Sequence, residues 1–302
     1  MRERRKAIEW PTLGLIALCY ALWLVGLWFA PVVSLPISVL CLAVAIAFHG
    51  SLTHEVIHGH PTPWQAVNVA LVSLPLSLVV PYARFRDTHL AHHRDANLTD
   101  PYDDPESNFW GPGEWSRMSP ISRLLLTANN TLLGRIFLGP LIGQVAFLRW
   151  DWRSAKEGDR SVVSGWLWHL PAALVVIAIV AASPATALTY ALGVYLGLAL
   201  LKIRTFLEHQ AHELSRARSV IIEDRGPLAL LFLNNNLHAV HHMHPDLPWY
   251  ALPRAYAPRR ARYLEMNEGY LFRSYGEVMR AFLWRRKDPV AHPLLSQGPD
   301  PH

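Results

Sequence analysis

Three groups of histidines carry the chemistry available to this sequence. In the stretch 84–94, Arg-Phe-Arg-Asp-Thr-His-Leu-Ala-His-His-Arg, the residues His89, His92 and His93 stand at i, i+3 and i+4, positions that share one face of a helix. The same spacing returns at His238, His241 and His242, and His54 and His58 stand at i and i+4. Eight of the sixteen histidines therefore fall into three clusters at ligand spacing. Imidazoles gathered on one face make a poor core and a good set of metal ligands. Eight exceed what one ion takes, so two metals are implied. Imidazole suits zinc, copper, iron or nickel, and the spacing leaves the metal open. The two cysteines, Cys19 and Cys41, lie in apolar runs and offer neither a disulfide framework nor a CxxC site.

Two rival motifs share these residues. His54-Glu-Val-Ile-His58 also reads as HExxH, the pattern of an intramembrane zinc protease with Glu55 as general base. That reading leaves six clustered histidines without work and finds no convincing third ligand. A soluble ferritin-like di-iron bundle needs a second Glu-x-x-His pairing beside Glu55 and His58, and the sequence lacks it.

The elements that must position these clusters are apolar. Just over half the residues are hydrophobic, 51%, and they come in runs. Run 12–30 follows a basic start (Arg2, Arg4, Arg5, Lys6) and carries no charge; its length suffices to span a bilayer. It is long for a signal peptide and lacks a small-x-small cleavage site. Run 36–58 opens at Pro36. A helix from there rises about 27 Å by His54 at roughly 1.5 Å per residue, so His54 and His58 should emerge at a membrane surface. The short run 66–80, broken by Pro75, reads as a re-entrant or interfacial hairpin. Runs 164–182 and 185–206 form a second pair joined at Ser183-Pro184. Gly193 and Gly197 make a GxxxG that favours close helix packing over room for a lipid chain. The mixed stretch 121–148, closed by Arg149, Trp150, Trp152 and Arg153, reads as an interfacial helix. An amphipathic helix is expected near 275–284.

The expected fold is thus an all-α integral membrane protein forming one domain over 1–302. Four transmembrane helices, near 12–30, 36–58, 164–182 and 185–206, form two hairpins. Re-entrant or interfacial helices and a polar, histidine-rich di-metal cap (84–161 and 210–302) complete it. The net charge of +5 is spread along the flanks of apolar segments, which points to membrane topology rather than nucleic acid. The short connections 31–35 and 183–184 hold no Lys or Arg. The positive-inside rule then places both termini and every histidine cluster on the cytoplasmic side, of a bacterial inner membrane.

An HxxxH, an HxxHH and a second HxxHH, in that order, resemble the three histidine boxes of the membrane fatty acid desaturase family, and the likeness covers most of the chain. Arg204-Thr-Phe-Leu-Glu-His209 resembles the segment that carries a further ligand in bacterial members; His212, three residues on, is the rival. The resemblance implies a non-haem centre of two irons held by His54, His58, His89, His92, His93, His209, His238, His241 and His242. It implies dioxygen as co-substrate, and electrons from an external ferredoxin-type donor and its reductase. It implies a fatty acyl or related lipid substrate, with introduction of a C=C double bond as the leading outcome. A lipid hydroxylase or an alkene-forming fatty acid decarboxylase would show the same boxes. Glu55, Asp87, Asp95, Glu208 and Asn235 adjoin ligands and are candidates to orient the imidazoles by accepting N–H bonds. The acidic run 100–106 reads as a solvated or capped turn, His49 as structural, His60 and His244 as helix ends beside prolines, and His169 as interfacial.

Overall fold

The computed structural model describes residues 7–94 and 97–295. The basic start 2–6 and Asp95 lie outside the described residues. The chain divides into two compact units, one of Met1–Arg86 with Ile142–Leu201 and one of Asp87–Leu141 with Lys202–His302.

The first unit is built from long helices that are apolar on nearly every side, as burial in protein or lipid demands. Among the described residues, helical stretches at Trp10–Val33, Leu35–Ile57, Arg160–Ala181 and Ala187–Thr205 fall on the four predicted spans. The first contains a π turn at Val25–Phe29. Ser34, in an extended conformation, separates it from Leu35–Ile57, and Pro36 sits in the first turn, where its missing N–H costs nothing. Gly193 and Gly197 face the Leu35–Ile57 helix. A Cβ on Gly193 would lie 2.6 Å from Leu42 Cβ, and one on Gly197 2.9 Å from Ala43 O and Ile46 Cβ. The GxxxG is therefore a close helix contact. Gly197→Val is expected to destabilise the protein by about 1–3 kcal/mol through overpacking, read as a lower melting temperature in detergent; an unchanged melt would contradict this contact.

A fifth helix, Leu132–Lys156, is also long and apolar enough to cross a membrane. The stretch 121–148, expected as an interfacial helix, divides into Pro120–Asn129 and this helix. The protein is mostly helical, and five helices among the described residues are long and apolar enough to cross a membrane. The fifth was hard to read because Arg135, Gln144 and Arg149 interrupt its apolar residues.

The segment 66–80 is short and broken, as its proline predicts. Helix Gln65–Val72 ends there, and non-helical backbone follows through Pro75 to a left-handed Leu78. Side chains of surrounding helices take up its carbonyls. Tyr20 Oη donates to Leu71 O (2.9 Å), Tyr190 Oη to Leu76 O (2.6 Å), His169 Nε2 to Leu78 O (2.9 Å) and Gln144 Nε2 to Val79 O (2.9 Å). Irregular backbone is tolerable at membrane depth when protein satisfies it in this way. His169 thus has a structural role, and so does His60, whose Nδ1 lies 2.5 Å from Glu9 Oε1.

The second unit holds short helices around a two-stranded parallel sheet, Ile221–Ile222 with Leu271–Phe272. Ile221, Leu237, Val240, Leu252 and Tyr263 form its apolar core. The chain end stitches it together: Leu133 N donates to Leu283 O, Lys287 N to Asn130 O, and Trp110 N to Val290 O. The expected amphipathic helix is Tyr275–Phe282, capped by Ser274.

Candidate metal centre

His89, His92 and His93 occupy the last turns of helix Tyr82–Arg94; His89 and His92 are buried. His238, His241 and His242 occupy the short helix His238–Met243. Its start is fixed by Ala239 N donating to Val220 O, next to the sheet. Before it, Leu233 and Asn234 adopt left-handed backbone, a conformation that asparagine tolerates better than most residues. The following asparagines are each used: Asn235 Nδ2 donates to Glu208 Oε1 (2.8 Å) and Asn236 Nδ2 to Ile222 O (2.6 Å). His209 lies past helix Ala187–Thr205, bridged to Ser219.

Within the second unit these seven imidazoles form two groups. His92, His209, His238 and His242 each offer a nitrogen within 4.8 Å of the others, and so do His89, His93 and His241. The Nε2 atoms converge. His209 Nε2 lies 3.0 Å from that of His92 and 2.9 Å from that of His238; His242 Nε2 lies 3.1 Å from that of His238, and His241 Nε2 3.1 Å from that of His93. Meanwhile acceptors hold the outer nitrogens. His92 Nδ1 donates to Asp104 Oδ1 (2.8 Å), and His89 Nδ1 to Glu106 Oε1 (3.0 Å). His238 Nδ1 lies 3.3 Å from Asn235 Oδ1, and His209 Nδ1 3.2 Å from Ser219 Oγ. An imidazole whose Nδ1 proton is given away presents the lone pair of Nε2. Several lone pairs aimed at one another repel unless a cation sits among them, and that is a metal site's donor set.

The electrostatics agree. Burial alone would strip charge from His92, yet the hydrogen bond to Asp104 and the charges of Glu106, Asp104 and Glu208 outweigh it and raise its pKa to about 9. Burial, then the charges of His89 and His92, push His93 down to about 3. His209, His238 and His242 are held well below the usual range, by burial first and by neighbouring imidazoles second. The carboxylates favour positive charge while crowding disfavours protons on most rings. A metal bound by neutral imidazoles answers both demands.

In the first unit, His54 and His58 close the Leu35–Ile57 helix with ring centroids 5.0 Å apart, and Glu55 is buried beside them. His209, not His212, joins the imidazole group: His212 is half-exposed, with Nε2 3.5 Å from Glu268. Glu208 does not serve its neighbour His209. It accepts from Arg204 Nε (2.9 Å) and Asn235, and so supports the Asn235–His238 contact. Asp87 is half-buried. Asp104 and Glu106, expected in a solvated turn, are instead the carboxylates that hold His92 and His89. The sequence signal was an acidic run following a histidine box within about one turn of loop.

The converging imidazoles, backed by carboxylates, could hold metal ions. The fatty acid desaturase family matches residues 26–274, and the chain belongs to that family. It is also similar to two curated proteins. The beta-carotene ketolase of Paracoccus sp. (strain N81106 / MBIC 01143) is 27% identical over 256 residues, covering 80% of this chain and 88% of the ketolase. The beta-carotene ketolase of Paracoccus sp. (strain PC1) is 30% identical over 262 residues, covering 80% and 90%. The chain is therefore an enzyme, an oxidoreductase of the membrane.

Proposed function

We propose that the protein is a non-haem di-iron enzyme that uses dioxygen to attack an unactivated C–H bond in a long membrane lipid. The observation that carries this reading is the convergence of imidazole nitrogens, with Asp104 and Glu106 behind them. In this reading His54, His58, His89, His92, His93, His209, His238, His241 and His242 would supply the iron ligands, as the family resemblance implies. The HExxH pair then belongs to a larger set, which counts against a zinc protease. The irons, when bound, would supply the oxidising power. The chain keeps the imidazoles neutral and oriented, excludes water with its apolar helices, and holds the lipid in register.

Oxygen insertion at a methylene is the outcome favoured, because two beta-carotene ketolases are similar along nearly their whole length. Introduction of a C=C bond into a fatty acyl chain is the second reading, favoured by the family itself. Either turnover consumes one dioxygen, two electrons and two protons. Insertion releases one water and desaturation two. The electrons come from a ferredoxin-type protein and its reductase.

The whole chain works in this reading as one membrane domain. Four helices cross, and Leu132–Lys156 lies in the interface. Its exposed large apolar residues Phe137, Leu141, Val145, Leu148 and Trp152 follow one helical stripe, the pattern of a helix lying in the membrane plane. The histidines and both termini face the cytoplasm of a bacterial cell.

The test is metal analysis of the detergent-purified protein followed by product analysis. About two irons per chain are expected, with fewer in His92→Ala. Carotenoid and fatty acyl substrates are then supplied with reduced ferredoxin. A product heavier by oxygen marks insertion, and one lighter by two hydrogens marks desaturation. A single zinc per chain, indifferent to His92→Ala, would overturn the di-iron reading.

A further inference from the structure

The short helix Arg260–Met266 has two unlike faces. Arg259, Arg260 and Arg262 are exposed on and beside it, as is Arg254 just upstream. Between Asp246 and Glu265 the sequence holds no acidic residue, and Glu265 itself is exposed on the same helix. Inward, Tyr263 is buried, and Tyr263 and Met266 wall a cavity of about 130 Å³ that His242, Met243 and Ser219 also line. Ser219 is the residue that holds His209. Tyr263 Oη lies 3.1 Å from His244 Nε2, and His244 N donates to His241 O. The helix carrying arginines on its outer side is thus a wall of the cavity that reaches the imidazoles. Arg260 is committed to Glu223, with Nε at 2.5 Å and Nη2 at 3.1 Å, and Tyr256 Oη donates to the same carboxylate. That clamp fixes the helix, while Arg254, Arg259 and Arg262 carry charge outward.

A second basic patch offers a contrast. Arg280, Arg285 and Arg286 line a groove with Trp284, and Trp284 is 77% exposed. Arginine beside exposed tryptophan suits a membrane interface. Among the described residues between 244 and 283 no large apolar side chain is exposed, and beside the cavity Met243 is 41% exposed. A polar cationic surface of this kind suits an acidic protein from the aqueous phase.

We infer that the Arg254, Arg259 and Arg262 strip is the docking surface for an acidic, one-electron donor protein of the ferredoxin class. The donor is oxidised by one electron per encounter, and the electron passes over the Arg260–Met266 helix to the His242 side of the centre. The inference rests on the oxidoreductase reading above and adds where its partner binds.

The test measures binding of a plant-type [2Fe–2S] ferredoxin to the iron-loaded full chain in detergent, at low and high salt. Arg254→Glu/Arg259→Glu/Arg262→Glu should weaken the Kd about tenfold or more and flatten its salt dependence. Iron content and reduction by dithionite should stay unchanged, because the three side chains are exposed. Arg285→Glu/Arg286→Glu should bind ferredoxin like the parent. Equal affinity of the triple variant and the parent overturns the proposal, as does weakening by the Arg285/Arg286 pair instead. A parent protein that holds no metal reducible by dithionite sinks the oxidoreductase reading itself, and the docking site with it.

Discussion

Replacing Asp104 by alanine is expected to lower metal affinity at the His92 group by about 10- to 100-fold. Asp104 is nearly inaccessible, its side chain 1% exposed. It accepts from His92 Nδ1, from Thr99 N at 2.8 Å and from Glu106 N at 2.9 Å. Alanine releases the imidazole to rotate, removes the negative charge that favours a cation, and leaves donors buried without acceptors. Each such donor costs about 1–3 kcal/mol, so the turn over residues 97–107 should loosen as well. Asp104→Asn separates the two effects. Its amide oxygen can still accept from His92, but its NH2 group faces the Thr99 N–H, donor against donor. Iron content at a fixed free-iron concentration should therefore fall less in the asparagine variant than in the alanine variant. The melting temperature should drop in both. Undiminished iron in Asp104→Ala would mean that this carboxylate does not orient a ligand.

The contrast between the histidines and Asp104 shows what local sequence encodes. Spacings of three and four place His89, His92 and His93 on one helical face regardless of tertiary structure, so they can be read directly. The same is true of His238, His241 and His242. His209 stands alone, and its place depends on a backbone bridge to Ser219; only the resemblance to a family pointed to it. Asp104 meets His92 across twelve residues, because the loop turns back on the helix through a left-handed Thr99. No periodic pattern predicts such a reversal. Glu208 is a related case, for its carboxylate lies 3.9 Å from His238 Nδ1 rather than beside its sequence neighbour. It adjoins His209 in sequence, but its carboxylate meets Arg204 and Asn235 instead. In the membrane part, long apolar runs with few charges made four helices legible, and Pro75 betrayed the broken segment. Leu132–Lys156 stayed obscure because its polar residues interrupt the run while leaving the apolar stripe intact.

The largest stability loss is expected from Asp151→Ala, about 3–5 kcal/mol. Arg84 and Asp151 are both buried, 5% and 3% exposed. Arg84 Nη2 and Nε donate to Asp151 Oδ1 at 2.9 and 3.1 Å, and Trp166 Nε1 donates to Oδ2 at 2.8 Å. Gly165 makes room for this arrangement, since a Cβ there would lie 3.2 Å from Arg84 Cδ. Removing the carboxylate takes from a buried guanidinium the hydrogen bonds and the counter-charge that Asp151 supplies, and breaking a buried pair from one side is costly. The pair as a whole is worth much less than either half, because bringing both ions out of water already consumed most of their attraction. Arg84→Met/Asp151→Leu should therefore melt well above Asp151→Ala, short of the parent by roughly the 1–3 kcal/mol owed to the unpaired Trp166 N–H. If the double variant melted no higher than the single one, the pair would be acting through its shape and hydrogen bonds rather than through charge balance.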